Sequence, residues 1–142
     1  MDQIVQTLTQ YELGFMWRLV VLACIAYLLI LGALVFIRPA VVNRFFEGFV
    51  SSGRINFLEA ALRLIAGLAF VAVSPETKIP VVFFWFGAVL AITAIPMMFL
   101  YRFHKSQAVW AIPFAKRILP LMGVVAIAVG ALIAWALTRA HP

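Results

Sequence analysis

Four uninterrupted apolar runs, at about 14–37, 56–74, 79–100 and 118–137, leave this chain few architectures to choose from. Each comes to roughly the 20 residues that a helix needs to cross a hydrocarbon core about 30 Å thick. The runs are continuously apolar and lack the alternation of a barrel strand, and no open strand can leave its amides unpaired in lipid. The spans are therefore predicted to be helices, in an all-α integral membrane protein with one domain over 1–142. Composition agrees: 66% of residues are hydrophobic, 11% are charged and the mean hydropathy is +1.12. An ordinary soluble domain is about half apolar and a quarter charged.

The second run stops before Ser74-Pro75, because a proline disfavours helix in the residue before it. Pro80 and Pro120 fall in the first turns of the third and fourth runs, where a missing N–H costs nothing. The first run has no basic segment before it and ends at Arg38-Pro39 without a small-residue cleavage site, so it is expected to be retained rather than removed as a signal. Lys and Arg set the orientation. Loop 38–56 carries Arg38, Arg44 and Arg54, and loop 101–117 carries Arg102, Lys105, Lys116 and Arg117; the other side has only Lys78 and Arg139. Seven against two predicts that both longer loops are cytoplasmic and both termini lie outside. The expected location is a cell inner (plasma) membrane.

In "RPAVVNRFFEGFVSSG", Val41, Val42, Phe45, Phe46, Phe49 and Val50 recur at helical spacing, opposite Arg38, Asn43, Arg44, Glu47 and Ser51. With Pro39 at its start and Gly53 at its end, this predicts an amphipathic helix in the inner headgroup layer. "SQAVWAIPFAKR" reads as a second interfacial stretch, anchored by Trp110 and Phe114. The spans form two hairpins, 14–74 and 79–137.

Charges inside a span demand an explanation. Asn56 precedes Glu59 by three residues, the spacing of a capping box, so Asn56 is predicted as the helix cap of the second span. Arg63 is an i,i+4 partner of Glu59, about 6 Å deeper along the axis, and its long side chain reaches back toward the headgroups. Thr93 on the third span lies at similar depth, and Pro96 deprives the Ile92 carbonyl of its helical partner. Glu59, Arg63 and Thr93 are thus a candidate intramembrane polar cluster. It serves either as an interhelical clamp or as a substrate or ion site. Arg18, beside Trp17, is expected to snorkel to the outer headgroups.

Small residues repeat every four positions at Ala126, Gly130, Ala134 and Thr138, and at Gly87 and Ala91, which lets helices approach closely. No cofactor, metal or catalytic set is expected. The histidines, His104 and His141, lie outside the spans, and Cys24 is the sole cysteine. The net charge of +6 is accounted for by loop topology rather than by nucleic acid, so lipid is the expected partner.

Asn56-x-x-Glu59 at the start of a second span resembles the glutathione-using membrane enzymes called MAPEG, although Ser52 stands where that family's motif has an Arg-Ala-His-type lead-in. "EAALRLIAG", "FWFGAVLAITA", His104 and "FAKRILP" together are similar to a pattern in small bacterial four-helix inner-membrane proteins. That resemblance covers about 56–137 and implies a bacterial plasma membrane, with no activity to carry over. The expected function is non-enzymatic: an accessory or scaffolding subunit that packs beside other membrane proteins or its own copies, through the small-residue faces or the basic loop 38–56. A small oligomeric solute transporter or channel-like unit is the alternative.

Overall fold

The computed structural model describes residues 2–48 and 52–138. Among these the chain is helical almost throughout: α1 (Asp2–Ile37), α2 (Pro39–Gly48), α3 (Gly53–Val73), α4 (Pro80–Phe99), α5 (Tyr101–Arg117) and α6 (Leu119–Leu137), with a short 3-10 turn at Ser74–Glu76. Four helical stretches are long and apolar enough to cross a membrane: Thr9–Ile37, Gly53–Glu76, Pro80–Phe99 and Leu119–Leu137. They match the four runs predicted from hydropathy.

Glycines decide which helices meet most closely. A Cβ built on Gly67 of α3 would stand 2.7 Å from the Gly87 carbonyl oxygen and 2.6 Å from the Ala91 nitrogen of α4. Across α1 and α6, a Cβ on Gly32 would stand 2.9 Å from the Gly123 carbonyl oxygen. Such backbone contact is what small residues permit in lipid, where dispersion between helices replaces the hydrophobic effect. The closest pairs are therefore α3 with α4 and α1 with α6, and α1 also packs on α3. The expected hairpin 79–137 is not a packed pair, because the glycine faces of α4 and α6 turn toward α3 and α1 instead.

The four long apolar helices converge at the end opposite the basic loops. There Val21 and Ile25 of α1, Ala69, Phe70 and Val73 of α3, Phe83 of α4, and Ile133 and Ala136 of α6 form one buried cluster. Phe70 sets its ring 5.3 Å from that of Phe83 and 5.0 Å from that of Phe86, edge-on in the second case. The Lys78 amide donates to the Ala136 carbonyl at 3.0 Å, and the Lys78 ammonium lies 4.8 Å from the Trp135 ring centroid. At the basic end the core divides. A smaller cluster of Val35, Val42 and Leu119 joins α1, α2 and α6, leaving α3 and α4 as a separate pair.

Two elements occupy the basic end. Helix α2 packs its predicted apolar face onto α1 and α6 through Val42, with Phe46 alongside, and Phe45 sets its ring 6.4 Å from Tyr27. It ends at Gly48, and Gly53 begins α3 rather than ending α2; Phe49, Val50 and Ser51 of the predicted amphipathic face lie outside the described residues. Helix α5 runs through the whole segment from Tyr101, with Leu100 and Ile118 as single non-helical links to its neighbours. Its 17 residues rise about 25 Å, enough to bridge two or three helix spacings of about 8–10 Å each. It thereby connects the separated basic ends of α4 and α6. An ion pair from Lys116 to Glu47 ties α5 to α2.

Candidate functional site

The polar groups at the start of α3 sit where α3 begins and α4 ends. Ser52 is the N-cap: its hydroxyl accepts from the Ile55 amide at 3.3 Å, and Asn56 lies one turn inside the helix. The capping role predicted for Asn56 thus belongs to Ser52, since the helix starts earlier than the apolar run. Asn56 has a different partner. Its Nδ2 donates to the Met97 carbonyl at 2.7 Å, and the side chain is only 1% exposed.

That bond answers a backbone need. The last four carbonyls of a helix have no partner within it, and Met97 lies in the final turn of α4, which stops at Leu100. Left alone in a buried site, such a carbonyl costs about 1–3 kcal/mol. Asn56 fills this role across 41 residues of sequence and fixes the register of α3 on α4.

Glu59 and Arg63 form the predicted i,i+4 pair at 3.1 Å. Glu59 is more buried, its side chain 17% exposed against 38% for Arg63. Tyr27 of α1 lies within electrostatic range of both charges. Thr93 is exposed and directs its hydroxyl to its own helix, to the Val89 carbonyl at 2.7 Å and the Leu90 carbonyl at 3.1 Å. Arg63 and Thr93 nevertheless share an open recess of about 360 Å3, together with Pro96, Met97, Phe103 and Gln107. Gln107 of α5 is a member that sequence spacing alone does not reveal, because α5 is brought over the recess only by the turn at Leu100. Two buried acceptors nearby, Asn56 Oδ1 and Glu59 Oε2, have no hydrogen-bond partner among the described residues.

Arg18 has a protein partner that sequence spacing does not reveal. Its guanidinium donates to Glu76 of the 3-10 turn, an ion pair that joins α1 to the α3–α4 connection. The basic residues Arg38, Arg44, Arg54, Lys116 and Arg117 are all exposed at the basic end, and among the described residues only Lys116 of these forms an ion pair. No group of three His, Cys, Asp or Glu able to hold a metal occurs among the described residues; His141 lies outside them.

Compared with models of protein families, with curated proteins and with solved structures, the chain matches none.

Proposed function

We propose that this chain is a non-enzymatic multi-pass protein of the cell inner membrane and serves as an accessory or scaffolding subunit of a membrane complex. The proposed orientation places both termini outside and the basic loops 38–56 and 101–117 in the cytoplasm, following their cationic excess.

One observation carries the proposal. Helix α1 has 36 residues and rises about 54 Å, nearly twice the hydrocarbon thickness. Among the described side chains of α1, Trp17 is the first to pack against the core, and about 22 Å of helix, the arm Asp2–Met16, precedes it. Ile4, Tyr11 and Phe15 are exposed along it, Tyr11 to 80%, and open space surrounds the Gly14 backbone. The exposed apolar side chains along the arm give a lateral partner a surface to cover. The small-residue faces are already engaged within the chain: Gly87 and Ala91 meet Gly67, and Gly130 meets Leu28 and Leu29. The arm therefore replaces them as the docking surface.

Native mass spectrometry of the gently solubilised complex tests this. Deleting residues 2–12 should leave the helical signal and melting of the remaining chain unchanged while releasing unlike subunits. A symmetric assembly of this chain alone, unaffected by the deletion, would instead favour the alternative function, a small oligomeric solute transporter. That alternative draws on the recess at Arg63, Thr93 and Gln107 and on the two partnerless acceptors beside it.

A further inference from the structure

We propose that the groove between α1 and α6 at the basic end is a binding site for an anionic glycerophospholipid, with an acyl chain in the groove and the phosphate against Arg38 and Arg117. The inference rests on the membrane reading and goes beyond the accessory role.

The groove is open-sided and holds about 370 Å3, within the range of small-ligand clefts. Its walls are apolar throughout, among them Leu31, Val35, Phe46, Leu119, Met122 and Val129. Gly32 also lines it, at the point where α1 and α6 come into backbone contact. From Ile118 to Val129 the lining advances about 16 Å along α6, close to half the thickness of the hydrocarbon core. The groove thus has the depth of one leaflet and opens sideways, as entry of a lipid tail requires.

Two arginines flank the lining residues of the basic end along the chain. Arg117 directly precedes Ile118, and Arg38 follows Val35 by three residues; both are exposed, and neither has an ion-pair or side-chain hydrogen-bond partner among the described residues. Arg44, on the helix that brings Phe46 over the groove, donates to the Ala40 carbonyl of its own helix at 3.5 Å. By contrast Lys116 is neutralised by Glu47. An apolar wall ending in two uncompensated guanidinium groups matches a molecule with a hydrocarbon tail and an anionic head, since guanidinium binds phosphate through two parallel hydrogen bonds. Basic pockets between spanning helices recognise anionic headgroups in this way. A partner helix or a neutral apolar ligand would fill the groove and leave both cations without a counter-ion.

Native mass spectrometry of the full chain in detergent, with phosphatidylglycerol or phosphatidylcholine of identical acyl chains, reads out the site. Phosphatidylglycerol should be retained on the order of tenfold more strongly. Arg38→Gln with Arg117→Gln should remove that preference and leave the weaker retention of phosphatidylcholine. Ala126→Phe, which fills the groove from its lining, should reduce both, while inorganic phosphate alone should not bind. Each variant is checked for unchanged helical circular dichroism, and the two exposed arginines can be replaced without touching the core. Equal retention of the two lipids, or a preference that survives the double substitution, overturns the site. A protein that remains in solution without detergent overturns the membrane reading itself, so the two failures are distinguishable.

Discussion

Replacing Gly87 with alanine should destabilise the folded chain by up to about 2 kcal/mol net, although alanine is the better helix former. The intrinsic gain from removing a mid-helix glycine is about 1 kcal/mol. Against it, the new Cβ would stand 2.5 Å from the Gly67 carbonyl oxygen, 2.8 Å from the Phe70 Cβ and 2.8 Å from the Val71 nitrogen. Two of these are backbone atoms, which move only if α3 and α4 separate, and overpacking of that kind costs about 1–3 kcal/mol or more. The clash wins over the propensity. Gly14→Ala supplies the control, because nothing lies within 4 Å of its added Cβ and the same propensity gain should appear there unopposed. Thermal unfolding in mild detergent, followed by circular dichroism, should show Tm falling for Gly87→Ala and unchanged or rising for Gly14→Ala. A rise in both would mean that α3 and α4 are not in backbone contact.

The second large effect is expected at Asn56. Asn56→Leu keeps the volume nearly constant but leaves the Met97 carbonyl unpaired, a loss of about 1–3 kcal/mol. Asn56→Asp should cost more, about 3 kcal/mol or above, because it sets a carboxylate against a carbonyl oxygen in a site only 1% exposed. Only the protonated acid can donate to Met97, so stability of the Asp variant should recover as pH falls. Hydrogen exchange localises the effect: amides in the last turn of α4, including Leu100, should exchange faster in both variants, while those of α6 remain protected. An Asp variant as stable as the parent at neutral pH would contradict the assigned hydrogen bond.

The two sites differ in how far a single sequence could reveal them. Continuous apolar length gives the spans directly, and α2 is legible from its helical periodicity after Pro39. The ambiguity at residues 52 and 53 is physical: glycine closes one helix as readily as it opens the next, and Ser52 is as good a cap as Asn56. Glu59 and Arg63 are readable as a pair because i,i+4 spacing is local. Asn56 with Met97, and Arg18 with Glu76, are separated by 41 and 58 residues, and helix periodicity carries no information across such distances. A usable signal does exist for Asn56. It is an amide at the margin of an apolar span, and a buried amide must find a partner, so the need is legible although the partner is not. Nor does local spacing reveal that Gly32 meets Gly123, since α1 and α6 lie at opposite ends of the chain.

The polar groups gathered near the ends of the helices follow a common logic. Arg18 meets Glu76 and Lys78 meets Trp135 at the convergent end; Asn56 meets the Met97 carbonyl and Lys116 meets Glu47 at the basic end. Each tie lies where a helix stops and backbone or side-chain groups need partners. Between these two layers, helix packing is left to glycines and apolar side chains. That division of labour suits a solvent that offers no hydrogen bonds.

It also requires that the two layers lie on opposite sides of a bilayer. Single cysteines introduced into a Cys24→Ser background and probed on intact cells with a membrane-impermeant maleimide test this most directly. Gln10→Cys, on the projecting arm, should be labelled from outside, whereas Ser106→Cys, on α5, should be labelled only after the membrane is permeabilised. Labelling of Ser106→Cys on intact cells, with Gln10→Cys protected, would contradict the proposed orientation; labelling of both from one side would contradict the four crossings.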